Sequence, residues 1–513
     1  MAALGPRSLV FVGFMGAGKT TAARVVAQEL GVEALDTDEL VERELGMPIA
    51  RFFDEHGEPA FRDVEERVVV ELLEGREAPP VVALGGGALE SAPVRAALAR
   101  HVVVALEVVP GDAWARVRQA ADRPLARDRG AFEALHTRRT PLYERAADAI
   151  LPPADPGVAG RALPTLVLLR DRAPEGTRML WARSTSGEYP VLLGRGLLRS
   201  GTWPLEGRRF VLTDERVAEL HLDALGETAA TIAIAPGEEA KSLATAETVW
   251  RALAREGMTP SDHLVGLGGG VVGDLAGFCA ATYRRGVPVV HVPTTLVAQV
   301  DSAYGGKTGV DLPEGKNYVG AYHQPAAVIV DPETLETLPP EELAAGWAEV
   351  VKTALIAGGA LWERVREGRL DDEAILACAR VKLAVVAEDE RDMGHRQVLN
   401  LGHTVAHAIE TATGYARYRH GEAVALGLLA ALRLSGQDGL RAEVSQLLAT
   451  RGLPTALDGV DPDEVVALTA RDKKRRGEAP TPFVLLDAPG EVHPGRTVDD
   501  AQLRAAVAEL AVR

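Results

Sequence analysis

The stretch "GFMGAGKT", residues 13–20, limits what this chain can fold into more than any other segment. It fits the pattern G-x-x-x-x-G-K-[ST] with Gly13, four residues, then Gly18, Lys19 and Thr20. Such a loop must curl until successive backbone N–H groups point at one phosphate, and glycines permit the curl. The apolar run "LVFV" (9–12) precedes it and the helix-like "TAARVVAQEL" (21–30) follows. Strand, glycine loop and helix in that order predict a P-loop within a parallel α/β domain. Gly16, Ala17, Gly18, Lys19 and Thr20 would then hold a nucleoside triphosphate. Lys19 would reach its β/γ-phosphates, and the Thr20 hydroxyl would bind Mg²⁺.

A second Gly-Lys-Thr lies in "GGKTG" (305–309), but here Asp301 stands where the first glycine belongs. A carboxylate at that point would repel a phosphate, so the segment has another task. The two triplets are not an internal repeat.

With 513 residues the chain is long enough for about three or four domains. Its net charge of −17 argues against a general nucleic-acid or anionic-membrane binder. Anionic substrates would have to be held by local clusters of Lys and Arg. Cys279 and Cys378 sit in separate apolar settings and read as buried thiols, not as a metal or disulfide framework. No charged leader followed by a long apolar stretch opens the sequence, and no 18-residue apolar run occurs, so a cytoplasmic protein is expected.

Residues 1–170 alternate short apolar runs with helical patterns, which predicts a parallel sheet covered on both faces. "DRAPEGTR", from 171, breaks the pattern, and 171–183 reads as a linker. A second α/β pattern, Rossmann-like, covers 184–330. From 331 to 513 amphipathic helices dominate, as in "PEELAAGWAEVVKTALIAG" (340–358). The fold class is therefore α/β, with a mostly helical C-terminal domain.

Further motifs follow the P-loop in order: "LDTDEL" (35–40), "FFDEHGEPAFRDVE" (52–65), "LGGGA" (84–88), "DRPLA" (122–126) and "RRTPLYERAA" (138–147). Taken together the first unit resembles shikimate kinase, which phosphorylates the 3-hydroxyl of shikimate with MgATP. The resemblance implies that Asp38 holds the diol and assists deprotonation, and that Asp36 supports Mg²⁺ through water. Arg62 and Arg139 would grip the shikimate carboxylate, for which forked guanidiniums are suited. Gly85, Gly86 and Gly87 would let backbone approach the ring, and Arg123, in a lid-like stretch, would stabilise the transferring phosphoryl group. Ala126 departs from the family, which carries a larger apolar residue there. Read singly, Asp36 and Asp38 also suit caps for a helix starting at Glu39. A nucleotide-sensing module is the non-enzymatic alternative.

In the second unit "GLGGGVVGD" (266–274) contains G-x-G-x-x-G after an apolar run, a weak dinucleotide fingerprint by itself. No acidic residue follows at the usual spacing of about 20, so a nonstandard nucleotide site or a tight turn both remain open. Downstream, His403 and His407 are four apart in a helical pattern and share a face. By spacing alone they form the metal pair. His420 and Glu349 are further candidates for a catalytic Zn²⁺.

"PGEEAKSL" (236–243), "GGGVVGDLAGFCAATYRRG" (268–286), "VPTTLVAQVDSAYGGKTGVD" (292–311), "WAEVVK" (347–352), "EDERDMGHRQVLNLGHTVAHAIE" (388–410), "HGEAVALG" (420–427) and "RDKKRRG" (471–477) come in one order. These segments resemble 3-dehydroquinate synthase. That family uses NAD⁺ and Zn²⁺ or Co²⁺ to convert 3-deoxy-D-arabino-heptulosonate 7-phosphate into 3-dehydroquinate. The resemblance implies one metal per chain, held by Glu349, His403 and His420, with His407 beside the substrate phosphate. It assigns Asp214, Glu238, Lys241, Gly269, Gly270, Asp274, Thr294, Thr295, Asp301 and Lys316 to NAD⁺. Asp301, Lys307, Lys352, Lys382, Arg396 and Asn400 would hold substrate, with Lys473 or Lys474 near the phosphate. Arg285 would come from the neighbouring subunit of a homodimer. "GGKTG" thus belongs to a substrate pocket. Another sugar-phosphate cyclase or a polyol dehydrogenase is the alternative; a dehydrogenase should lack the cationic phosphate cradle.

Overall fold

In the computed structural model, residues 7–75, 78–118, 128–153, 157–469 and 481–511 are described. The chain folds as two units, residues 1–182 with 190–204, and residues 183–189 with 205–513.

The first unit carries strands β1 (Leu9–Gly13), β2 (Ala34–Asp36), β3 (Val81–Ala83), β4 (Val102–Leu106), β5 (Ala149–Leu151) and β6 (Arg178–Arg183). Their order is β2-β3-β1-β4-β5-β6, and every neighbouring pair is parallel. All five residues of β1 are buried, as expected for a strand covered on both faces. The helices are α1 (Lys19–Leu30), α2 (Thr37–Leu45), α3 (Ile49–Glu74), α4 (Ala92–Leu98), α5 (Pro110–Val117), α6 (Arg129–Ala146) and α7 (Val158–Asp171). Because β2, β3 and β1 are neighbours running the same way, their carboxyl ends lie side by side. The P-loop, Asp36–Asp38 and Gly85–Gly87 follow those three ends, so topology alone gathers them.

The stretch 171–183, expected as a linker, holds β6. Met179 and Leu180 pair with Ala149 and Ile150 of β5 and are buried. The charged "DRAPEGTR" obscures the short apolar run "MLWA" (179–182), which is enough for a strand in a covered sheet.

Most of β7 (Glu188–Leu193) belongs to the first unit; in the second the strands are β8 (Arg209–Asp214), β9 (Ala230–Ile234), β10 (His263–Gly268), β11 (Val289–Pro293), β12 (Lys307–Leu312), β13 (Gly315–Tyr322), β14 (Ala327–Val330), β15 (Phe483–Ala488) and β16 (Glu491–Arg496). A parallel sheet runs β14-β11-β10-β8-β9. β12–β13 and β15–β16 are antiparallel hairpins, the second set among the C-terminal helices, in a region almost without strand signals in its sequence. The helices are α8 (Glu215–His221), α9 (Leu243–Arg255), α10 (Gly270–Thr282), α11 (Pro340–Ala357), α12 (Gly359–Arg366), α13 (Asp372–Glu388), α14 (His403–Ala412), α15 (His420–Leu434), α16 (Asp438–Ala449), α17 (Pro462–Thr469) and α18 (Asp500–Ala508).

Helix α10 lies close on β10. A Cβ on Gly268 would come within 2.7 Å of the Val272 side chain, and one on Gly266 within 2.9 Å of Ala276. The glycines of "GLGGG" thus serve close packing of strand on helix as well as any ligand. Among the described residues no helix is long and apolar enough to cross a membrane.

Candidate active sites

The first site forms around the P-loop. Gly13, Gly16 and Gly18 have φ of 144°, 81° and 93°, a region that side chains strain to enter. The Lys19 ammonium folds back onto the Phe14 carbonyl at 3.3 Å. Thr20 Oγ1 donates to Asp36 Oδ2 at 2.6 Å. The other oxygen of Asp36 accepts from Asp38 N at 3.0 Å and caps α2, which starts at Thr37, two residues before the sequence suggested. Asp36 is therefore both a cap and the neighbour of the expected Mg²⁺ hydroxyl.

The glycine triplet brings the other side chains together. A Cβ on Gly85 would lie 2.5 Å from Glu65 Oε1 and 2.7 Å from Asp38 Oδ1. One on Gly86 would lie 3.9 Å from Lys19 Nζ, and one on Gly87 within 2.4 Å of the Arg62 guanidinium. Arg62 pairs with Glu65 at 2.5 Å and Glu58 at 2.9 Å. Arg139, only 2% exposed, holds Glu90 in a two-point grip at 3.2 and 2.9 Å. Burial raises the Glu65 carboxyl pKa even though Arg62 draws it down.

The second site is a cavity of about 1290 Å³ in the second unit. All ten residues expected to hold a dinucleotide line it, among them Asp214, Gly269, Thr294 and Lys316. Gly270, Val271 and Val272 of the first turn of α10 line it, and no side chain caps that turn, whose first N–H groups have no partner within the helix. Buried Lys241 ties Asp274 at 2.6 Å and Glu238 at 3.6 Å, and Lys316 lies 3.6 Å from Glu238.

At the other end of the cavity three helices converge. Glu349 stands on α11, His403 opens α14 and His420 opens α15. One ligand atom from each lies within 4.8 Å of the others, and among the described residues this is the group of that kind found. Glu349 Oε1 is 3.6 Å from His403 Nε2 and 3.3 Å from His420 Nε2. The carboxylate is 1% exposed and ion-pairs with Lys352, yet neither oxygen accepts a well-aligned hydrogen bond. Nδ1 of His403 lies 3.2 Å from the Leu401 carbonyl, and Nδ1 of His420 lies 3.3 Å from Glu410 Oε1. Both rings thereby turn Nε2 toward Glu349, the arrangement that orients metal-binding histidines. Burial opposes charge on His420, but Glu349 and Glu410 outweigh it and push its pKa up to about 10. The field there calls for positive charge, and a divalent cation answers it. The donor set of one carboxylate and two imidazoles fits Zn²⁺ or Co²⁺.

Next to this group Asp301 receives Lys352 at 2.9 Å and also pairs with Lys382, whose ammonium donates to the Asp301 carbonyl at 2.7 Å. Burial alone would raise the Asp301 pKa; the two ammonium groups hold it well below the usual carboxylate range.

Comparison with known proteins matches this geometry to families. Residues 231–345 and 346–475 match the N-terminal and C-terminal models of 3-dehydroquinate synthase. The 3-dehydroquinate synthase of Symbiobacterium thermophilum is 43% identical over 333 residues, 59% of this chain and 92% of that protein. The chain belongs to the 3-dehydroquinate synthase family. Ahead of the synthase region, residues 15–156 match the shikimate kinase model, so the chain is a bifunctional enzyme. The 3-dehydroquinate synthase of Nitrobacter winogradskyi is 42% identical over 352 residues, covering 62% of this chain and 91% of that one. A solved 2-deoxy-scyllo-inosose synthase, complexed with carbaglucose-6-phosphate, NAD⁺ and Co²⁺, aligns with a TM-score of 0.58 and 25% identity over 64% of this chain and 99% of its own. A 2-epi-5-epi-valiolone synthase from Streptomyces hygroscopicus, with NAD⁺ and Zn²⁺ bound, aligns at 0.58 and 26% over 63% and 96%.

Within the synthase half the structure separates the expected substrate residues. Asp301, Lys307, Lys382, Asn400 and His407 line the cavity. Lys352 is absent from its wall, buried between Asp301 and Glu349. Arg396 is also off the wall: it is 2% exposed and donates to the carbonyls of Glu390 at 2.6 Å and Gly305 at 3.1 Å. Its guanidinium braces the "GGKTG" turn and is not part of the cavity wall. Lys307 reaches across to Asp392. Arg285 is exposed at the end of α10, in the left-handed region with φ 67° beside Arg284 at 50°, and does not line its own chain's cavity. Arg123, Lys473 and Lys474, and with them Ala126, lie outside the described residues.

His407 is not in the ligand group, so α-helical spacing alone selects the wrong partner for His403 in this geometry. Its ring centroid is 5.4 Å from that of His403 and 6.5 Å from that of His420. Sequence reasoning missed Glu410, Glu65 and Glu90. For Glu410 a signal existed: it lies seven after His403 and three after His407, on the same helical stripe. Glu65, three after Arg62, offers the same kind of cue. Glu90 offers none.

Proposed function

We propose that the first unit transfers the terminal phosphoryl group of MgATP to the 3-hydroxyl of shikimate. The second converts 3-deoxy-D-arabino-heptulosonate 7-phosphate into 3-dehydroquinate and phosphate with catalytic NAD⁺ and one Zn²⁺ or Co²⁺. The observation that carries the synthase reading is the buried Glu349 carboxylate facing two oriented imidazole nitrogens at one end of a cavity whose other end holds an uncapped helix N-terminus. Relatives named 3-dehydroquinate synthase are 41–43% identical, against 25–26% for the solved cyclases of other substrates, which supports the dehydroquinate assignment.

In the kinase half, Lys19 and the P-loop backbone hold the phosphates and Thr20 with Asp36 holds Mg²⁺. Asp38, beside Gly85, orients the acceptor hydroxyl and takes its proton. Arg62 and Arg139 hold the acceptor carboxylate, and Arg123 neutralises charge on the moving phosphoryl group.

In the synthase half, Glu349, His403 and His420 would hold the metal, and the ten dinucleotide residues lining the same cavity would hold NAD⁺. When bound, the metal supplies polarisation of substrate hydroxyls, and NAD⁺ supplies reversible uptake of a hydride. Lys382, Asn400 and Lys307 hold the anionic substrate, with Lys473 or Lys474 and Arg285 of a second copy completing the phosphate cradle. Lys352 keeps Asp301 ionised and placed against the ring hydroxyls. Arg396 fixes the turn that presents Lys307. His407, at the cavity wall, assists proton movement beside the departing phosphate. This reading makes the enzyme a homodimer, working in the cytoplasm.

The test is to incubate the purified chain with each substrate separately, with MgATP or with NAD⁺ and Zn²⁺, and score both products. Formation of only one product would remove the proposal for the other half.

A further inference from the structure

The acceptor corner of the kinase already contains a carboxylate. Glu90 ends the turn Ala88–Glu90 that follows the glycine triplet. Its two oxygens take the Nε and Nη2 of Arg139 at 3.2 and 2.9 Å, and Arg138 adds a contact at 3.4 Å. Arg139 comes from α6, 49 residues away, so this is a tertiary contact and not a helix-surface pair. The turn itself is anchored: Arg95 donates to the carbonyls of Leu89 at 2.6 Å and Glu90 at 2.9 Å, and Ser91 caps α4. Glu90 is thus held in place from its backbone, and its side chain is aimed at the guanidinium. Arg62, whose guanidinium lies over Gly87, is close enough that its charge also acts on Glu90. Burial would raise the Glu90 pKa, yet these arginines keep it below the usual value, so it is ionised at neutral pH.

We propose that Glu90 is an internal stand-in for the acceptor's carboxylate. It pairs with the Arg139 fork and yields it to shikimate, and so sets how tightly the kinase holds its acceptor. The inference rests on the reading that Arg139 grips the acceptor carboxylate. Glu90 takes the Nε/Nη2 edge of Arg139, so an incoming carboxylate must displace it from that edge or take the other edge beside it against like-charge repulsion. Either way the negative charge of Glu90 weakens binding. Ground-state affinity would be lowered while the phosphoryl-transfer geometry is untouched, which separates KM from kcat.

The experiment is steady-state kinetics on Glu90→Gln, which keeps size and hydrogen-bonding capacity but removes the charge. The KM for shikimate should fall about 3- to 10-fold, with kcat within about twofold of the unaltered enzyme. An unchanged KM for ATP verifies a folded site. Glu90→Asp, with a shorter reach, should give a smaller fall in shikimate KM, and calorimetric titration with shikimate should show the same order. Arg139→Ala serves as the control. If Arg139→Ala raises the shikimate KM while Glu90→Gln leaves it unchanged or raises it, the stand-in role is overturned and Glu90 merely positions Arg139. If Arg139→Ala leaves the KM unchanged, the proposed grip on the acceptor is itself overturned, and this inference with it.

Discussion

His403 and His407 share one face of α14 with ring centroids 5.4 Å apart, yet only His403 offers a nitrogen to the group formed with Glu349 and His420. The second imidazole of that group comes from the start of another helix. The two histidines should therefore behave differently when removed. His420→Ala should purify poor in metal, because two remaining ligands cannot enforce the site. His407→Ala should keep about one metal per chain and turn over roughly 10²–10⁴-fold more slowly, the scale of lost proton assistance. Metal analysis by mass spectrometry decides; a metal-poor His407→Ala beside a metal-replete His420→Ala would reverse the assignment.

Glu410 fixes His420 by accepting at Nδ1. Glu410→Gln should weaken Zn²⁺ binding by about 10–100-fold, as expected when a ligand loses its orienting partner. Competition with a chromophoric chelator measures this directly. Excess Zn²⁺ should restore most synthase turnover; unaltered chelator competition would count against the role.

Lys19→Ala should remove ATP-dependent shikimate phosphorylation and leave synthase activity near that of the unaltered chain. The two sets of residues share no side chain. Loss of both activities in a variant with an unchanged circular dichroism spectrum would show that the sites depend on each other.

Stability should fall in mild acid because of a histidine. His291, on β11, is buried with its Nδ1 unpartnered, in room left by Gly266, Gly273 and Gly277. Burial, reinforced by the charge of His323, pulls its pKa down to about 4. The unfolded chain, with a pKa of about 6.5, binds the proton first, so stability is lost as pH falls from about 6.5 to about 4, by roughly 3 kcal/mol at most. His291→Leu should flatten the dependence of the urea midpoint on pH across that window. A slope equal to that of the unaltered chain would exclude His291 as its source.

How far the sequence could be read follows from the range of the interactions. The P-loop, the strand–helix alternation and the helix of His403 are local patterns, set by neighbours within a few residues, and they stand where the sequence put them. Selection of His420 over His407 depends on how α11, α14 and α15 converge, which no spacing encodes; the family resemblance provided it. The motif marks Arg396 as a substrate cation; that its guanidinium meets two backbone carbonyls is a tertiary feature that the sequence does not display. Glu90 and Arg139 meet only because α6 crosses the turn after β3 in space. β6 was hidden because its four apolar residues sit behind a charged, glycine-containing stretch that dominates any window drawn over it.

The loop at Gly85–Gly87 has a consequence for how this kinase can change over evolutionary time. Each missing methyl group there borders a different neighbour: Asp38 and Glu65 at the first, the P-loop at the second, Arg62 at the third. A Cβ at the first or third position would crowd the acceptor base or the carboxylate anchor, whereas one at the second would meet only ordinary contacts of 3.4 Å or more. The middle position can therefore vary at least cost, while the two outer glycines stay tied to the side chains that α2 and α3 present to them.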